Sequence, residues 1–314
     1  MNISKIILPT PYPVGDVNAY LLKGDVLTLV DAGPKTEETY EALKWGIHAA
    51  GYVMQDIEQV VLTHHHPDHA GWLDAFPHAE ILGHQYIDHW LRQEKSFIDY
   101  RNKFYETELH YEGVPKDVIE RIIYVRGEME LFGTRPLTKF LQEGDTLPGH
   151  PGIKIYEMPG HAQSHLLFHD EKSGEAIGGD LVLDKVSSNP LMEPPVDLSM
   201  ERPRSLLQYI DSMKRIAAMP ITKMYGGHGE AVTNAAELIE ERLQKQQGRA
   251  MKVLSFFEER PLTVYEVNQI LFPKVYKTQP GLTLSETLGQ LDYLEQQQLL
   301  SKRLVNGVHI YDKI

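Results

Sequence analysis

The chain has 314 residues, 42% of them hydrophobic and 24% charged, with a formal net charge of −13 and no cysteine. That length fits one large domain plus a small one, and no stretch is long and apolar enough to span a bilayer. The missing thiols exclude disulfides, thiolate nucleophiles and cysteine-held zinc, while the negative balance disfavours a bulk electrostatic grip on nucleic acid.

Taken in chain order, Ile3–Leu8, Ala19–Leu22 and Val26–Val30 read as strands, with Gly24-Asp25 turning between the last two. The start, Met1–Pro9, is too short an apolar run for a signal segment, which together with the absent cysteines favours the cytoplasm. Thr36–Ala50 has helical periodicity and a stop at Gly51. Gln59–Thr63 is a short strand feeding into His64-His65-His66-Pro67-Asp68-His69, after which Ala70–Phe76 looks helical. Residues 89–141 change character. They are charged, aromatic-rich and helix-like, and read as a helical insertion covering a site as a lid. Its Tyr100, Phe104, Tyr105, Tyr111 and Tyr124 suit ordinary packing better than a pocket lining.

Strands resume at Ile153–Met158, Leu166–His169 and Glu175–Ile177, the last two joined by the turn Lys172-Ser173-Gly174. Ser187–Pro195 is stiffened by proline and is a candidate pocket wall. Arg202–Ala218 is an amphipathic helix, Lys223–Tyr225 a strand, and Ala235–Gln247 a further helix. The tail reads as helices Met251–Phe257, Val264–Leu271 and Ser285–Gln297. A hairpin follows at Asn306-Gly307, a strong type I′ signal. Residues 245–314 carry a net charge of about +2 against about −15 for the rest, so the tail is a separate compositional unit.

The chemistry concentrates at residues 64–69. His64 and His66 stand two apart just past a strand, where side chains two apart share a direction. Asp68 and His69 follow at once, with Pro67 stiffening the turn. Three more candidates each follow a strand beside glycine: His161 after Pro159-Gly160, Asp180 after Gly178-Gly179, and His228 between Gly227 and Gly229. Imidazole and carboxylate suit zinc, iron, manganese or nickel without choosing among them. A lone histidine is far more often structural than a ligand. His84, His89, His110, His150, His169 and His309 are read that way. His65 is expected to turn away from the ions, His165 to pack on its strand, and Asp31 to act as a buried supporting acid.

Thr63-His64-His65-His66-Pro67-Asp68-His69-Ala70-Gly71, then Gly160-His161, Gly179-Asp180 and Gly227-His228-Gly229, together resemble the metallo-β-lactamase superfamily. The pattern looks most like the hydrolase branch of that superfamily, which includes glyoxalase II and the β-lactamase-like endoribonucleases. The resemblance covers about residues 1–240 and implies an α+β fold, an αβ/βα sandwich with the site at one edge of two packed sheets. It implies one ion on His64, His66 and His161, a second on Asp68, His69 and His228, and Asp180 bridging both. Trp72 departs from the family's usual second glycine, and the stretch Gly160-His161-Ala162-Gln163-Ser164-His165 lacks the Thr-Pro-Gly often found there. Both could reshape the site wall.

The expected organisation is therefore a catalytic domain over 1–244, with the insertion at about 89–141, and a small winged-helix-like domain over 245–314. The expected cofactor is two divalent ions per chain, zinc first, with iron or manganese compatible. Asp68 and Asp180 are the candidate catalytic acids of a metal-activated-water hydrolase acting on a small ester, thioester or lactone. Two alternatives stand beside it: a single-stranded nucleic-acid endonuclease and an iron-dependent oxidoreductase of the same superfamily. The expected partner is a small-molecule substrate. No membrane is expected, nucleic acid is not favoured, and a homodimer stays open.

Overall fold

A computed structural model describes residues 1–125, 129–197 and 199–314; residues 126–128 of the expected insertion lie outside that set. The chain divides into two compact units: Met1–Glu94, Met129–Ser188 and Ser212–Ile239 make the first, and Lys95–Glu128, Asn189–Asp211 and Glu240–Ile314 the second.

The first unit holds two sheets. One has six strands in sequence order: β1 (Ile3–Leu8), β2 (Val17–Lys23), β3 (Leu27–Val30), β4 (Gln59–Val61), β5 (Glu80–Gly83) and β6 (Lys139–Phe140). β1 to β3 pair antiparallel and β3 to β6 parallel. The other sheet, ordered β10-β9-β8-β7, comprises β7 (Ile153–Glu157), β8 (Leu166–Asp170), β9 (Glu175–Gly179) and β10 (Lys223–Gly226). Alternation along the strands explains why the sheets pack. Tyr20, Leu22, Val30, Val61 and Leu82 from the first sheet share one buried cluster with Ile153, Ile155, Leu166, Phe168 and Ile177 from the second. Each such burial contributes roughly 1.5–3 kcal/mol, enough to fix both registers.

Helix α1 (Glu37–Ala49) covers β1. Thr39, Leu43 and Ile47 recur every four residues on its buried stripe, and the Thr36 hydroxyl caps it by accepting from the Thr39 N–H. Helix α2 (Gln85–Arg92) follows β5. The helix expected over Ala70–Phe76 shrinks to a 3₁₀ turn, Trp72–Ala75. Trp72 stands at the start of that turn. Its ring packs on Tyr40 at 4.9 Å and its indole N–H donates to the Thr36 carbonyl at 2.7 Å, bracing the start of α1.

The second unit is largely helical: α3 (Lys95–Tyr111), α4 (Lys116–Val125), the first half of α5 (Ser205–Ala217), most of α6 (Ala235–Leu254), α7 (Val264–Leu271) and α8 (Pro280–Gln296). It ends in the hairpin of β11 (Leu300–Val305) and β12 (Val308–Lys313). Asn306 and Gly307 turn it with φ of 52° and 83°, the left-handed pair a type I′ turn requires. Phe104, Tyr105, Ile119, Ile122, Val253, Leu284, Leu288, Leu291 and Tyr311 form one core. Phe104 and Tyr105 are thus packing residues, and Tyr124 is 77% exposed. The compact units do not follow the expected division at 244/245. α6 runs unbroken through that point, and α3 and α4 bury their apolar faces with the tail.

One face of α8 is already taken within this unit. Asn189 donates to the Leu282 carbonyl at 3.1 Å, Met192 N–H to Ser285 Oγ at 3.0 Å, and Leu206 lies against Gly289. Arg202 makes a two-point pair with Asp292 at 2.9 and 2.8 Å, and Arg204 meets Glu295 at 2.8 Å. Positions 282, 285, 289, 292 and 295 share one helical stripe. Among the described residues no helix is long and apolar enough to cross a membrane.

Candidate metal centre

The ends of β3, β4, β9 and β10 gather the sequence-predicted residues at one edge of the sandwich. β4 runs out at Val61 and delivers His64–His69; β9 ends at Gly179, one residue before Asp180; β10 ends at Gly226, two before His228. His161 stands between β7 and β8. Two glycines make the convergence sterically feasible. Gly179 has φ +46°, and a Cβ there would lie 2.7 Å from Thr63 Oγ1; a Cβ on Gly227 would lie 2.2 Å from Asp180 Oδ1.

All seven predicted ligands are brought together. His64, His66 and His161 each place a ring nitrogen within 4.8 Å of the others, and Asp68, His69 and His228 form a second such triad. His64 Nε2 is 3.0 Å from His66 Nδ1. The Asp180 carboxylate lies between the triads. Its Oδ2 is 3.5 Å from His161 Nε2 and 3.6 Å from His228 Nε2, and its Oδ1 is 3.5 Å from His69 Nε2. Asp68 Oδ2 is 3.4 Å from His228 Nε2.

Asp31, the supporting acid, orients two of these rings at once. It sits just after β3 with φ 61° and is buried. Its Oδ1 accepts from the Thr63 N–H, and its Oδ2 from the Thr63 hydroxyl and from His69 Nδ1, all at 2.8 Å. With its own proton committed to Asp31, Thr63 Oγ1 is an acceptor for His64 Nδ1, 2.9 Å away. Both rings then direct Nδ1–H to these acceptors and turn Nε2 into the cluster, the orientation a metal ligand needs. His228 Nδ1 lies 2.8 Å from the Asp16 carbonyl, which does the same for the third ring.

Electrostatics divide the cluster. Burial depresses the His64 pKa well below the ordinary value, and the neighbouring His69 and His66 push it further down. At His69 burial works the same way, but the Asp180, Asp31 and Asp68 carboxylates outweigh it and hold the ring well above the ordinary value. His228, likewise buried, is pushed up to about 10 by the Asp180 and Asp68 carboxylates beside it. The carboxylates respond in kind. Burial would raise both, yet His69 and His228 lower Asp68 and take Asp180 well below the usual range. Even so, among the described residues His69 Nε2, His228 Nε2 and Asp180 Oδ1 are buried without a hydrogen bond. Orphaned polar atoms of this kind, converging in one place, fit dications held by imidazole and carboxylate.

His65 turns away as expected: its ring stacks on Trp90 at 4.6 Å and its Nδ1 meets Ser164 Oγ at 2.8 Å. His165 differs from expectation. Rather than only packing on its strand, it stacks on His64 with centroids 4.6 Å apart and 14° between planes, and its Nε2 accepts the Asp180 N–H at 3.1 Å. The one sequence signal for it was its place four residues after His161.

A two-sheet sandwich with paired His/Asp triads at the strand ends defines a metal-binding α/β class. The chain belongs to the metallo-β-lactamase superfamily, whose family pattern matches residues 12–228. It is 42% identical over 301 residues to the Bacillus subtilis protein named "Probable metallo-hydrolase YqjP", covering 96% of this chain and 94% of that one. It is similar along its whole length to the Thermus thermophilus metallo-β-lactamase family protein TTHA1429, with a TM-score of 0.80 and 26% identity over 99% of that chain. A β-lactamase domain protein from Burkholderia ambifaria shares the fold at a TM-score of 0.77 and 19% identity, with 100% of this chain and 93% of that one covered.

Proposed function

We propose that this chain is a metal-dependent hydrolase that holds two divalent ions, zinc by preference, and cleaves a small ester, thioester or lactone. The observation that carries the reading is the Asp180 carboxylate lying between two histidine-rich triads, beside the buried ring nitrogens His69 Nε2 and His228 Nε2. The name of the Bacillus subtilis relative supports the hydrolase class. His64, His66 and His161 would hold one ion, Asp68, His69 and His228 the other, and Asp180 both. Such ions lower the pKa of a bound water to about 7 and polarise a carbonyl oxygen. The chain's own part is orientation. As carboxylates, Asp68 and Asp180 can only accept hydrogen bonds, so they would direct a water's protons away from its attacking lone pair.

The nuclease reading looks to the tail, whose three helices and hairpin we read as winged-helix-like. Against it, α8, the would-be recognition helix, has no Lys or Arg. Its Asp292, Glu295 and Glu286 are engaged by Arg202, Arg204 and Arg249. A helix meant for phosphates would be basic and open.

The test joins metal analysis to a substrate panel of thioesters, lactones, phosphodiesters and single-stranded RNA. About two ions per chain and turnover of a carbonyl substrate are expected. A metal content near zero under replete conditions would sink the reading. Salt-sensitive micromolar RNA binding that vanishes on deleting 250–314 would put the nuclease ahead.

A further inference from the structure

His165 is tied to three of the segments that carry the candidate ligands. Its main-chain N–H donates to the Ala162 carbonyl, and its own carbonyl accepts from Met158, so its backbone is fixed by the turn that carries His161. Its ring lies flat against His64. Its Nε2 takes the N–H of Asp180. The third tie is the informative one. Gly179 leaves β9 with a left-handed φ, and its carbonyl accepts from Gly227 N–H at 2.7 Å. The same turn points the next N–H, that of Asp180, at the His165 ring, where a buried donor needs an acceptor.

The donor's identity settles the ring's. A main-chain N–H can only donate, so Nε2 must present its lone pair and the proton sits on Nδ1. Among the described residues that buried Nδ1 makes no hydrogen bond, so the ring's placement rests on Asp180 and His64. A flat ring with an acceptor at its far end meets both demands. A phenyl ring would keep the stack and lose the acceptor; a glutamine would bring an acceptor without the ring.

We propose that His165 is a positioning residue: by accepting the Asp180 N–H while stacked on His64, it holds the Asp180 carboxylate at the meeting point of the two triads. The inference rests on the two-ion reading above. It concerns the supporting layer rather than the ligands.

The experiment compares the wild type, His165→Phe and His165→Gln as full-length chains. Zinc affinity and ions per chain are measured, with thermal unfolding of the metal-free proteins as a control on folding. His165→Phe should bind its weaker ion 10–100-fold less tightly, the usual cost of losing a supporting hydrogen bond in a metal site. His165→Gln should stay within a few-fold of wild type. Wild-type affinity in the Phe variant, or equal weakening in both, would overturn the proposal. Should His165→Phe fail to fold, ¹⁵N imidazole spectra of the wild type decide, since a proton on His165 Nε2 contradicts the hydrogen bond and one on Nδ1 is expected. A wild type that binds no zinc defeats the metal reading itself, while the spectrum still tests the bond.

Discussion

Replacing Asp31 with Asn probes the acid that orients the centre. Asparagine tolerates the left-handed backbone at φ 61°, so the change adds little strain. It can still accept once from Thr63. It cannot also accept from the Thr63 hydroxyl and His69 Nδ1, which now share the Oδ2 of a buried carboxylate at 2.8 Å each. At roughly 1.5–3 kcal/mol for a hydrogen bond to a charged group, losing two costs about 3–6 kcal/mol. An amide N–H₂ facing His69 Nδ1 also makes that nitrogen the acceptor and moves the neutral ring's proton to Nε2, the atom a metal ion would need. All three tryptophans, Trp45, Trp72 and Trp90, lie in the first unit, so urea unfolding followed by tryptophan fluorescence reports on the part that contains Asp31. Zinc affinity is measured on the same samples. A loss below about 1 kcal/mol together with unchanged affinity would refute the orienting role.

Asp180→Asn should keep the fold and remove most activity; full activity with metal still bound would refute its assignment. His66→Ala and His228→Ala should each lower the ions per chain by elemental analysis. In the metal-free chain His228 carries a raised pKa of about 10, so its pairing with Asp180 and Asp68 stabilises fully below about pH 6.5 and is lost as pH rises toward 10. The urea midpoint should therefore fall across that window, and a flat profile would contradict the pairing. Arg202→Met or Asp292→Asn alone leaves a buried charge without its two-point partner and should cost about 3–5 kcal/mol, whereas Arg202→Met with Asp292→Leu should recover much of it. Additive single costs would rule out the coupling.

The ligand cluster was legible because its ingredients are local. Six residues from His64 to His69 supply four donors, and each remaining ligand follows a strand and a glycine. The Asn306-Gly307 hairpin was legible for the same reason. What escaped was long-range. The break expected after Gln247 does not occur, since Ala250, Val253 and Leu254 draw α6 onward into the second unit's core. β5 and β6 were missed because four and two residues are too few for a period to show. His165 hid because its partner is a main-chain N–H fifteen residues on, which no side-chain pattern announces. The partnership of α3 and α4 with the tail was invisible because each segment, read alone, is simply an amphipathic helix.

That last partnership bears on how the chain is made. Phe104, Tyr105, Ile119 and Ile122 leave the ribosome early, but Leu284, Leu288, Leu291 and Tyr311, which complete their core, come near the very end. The two sets are roughly 180 residues apart, so at roughly 5–20 residues per second the early helices wait about 10–40 s for their partners. During that interval their apolar faces have only solvent, the nascent first unit or a chaperone to rest against. A chain stopped at residue 244 would never leave that state: it would carry the complete ligand set and yet keep an open helical core, prone to aggregation before its chemistry could be assayed.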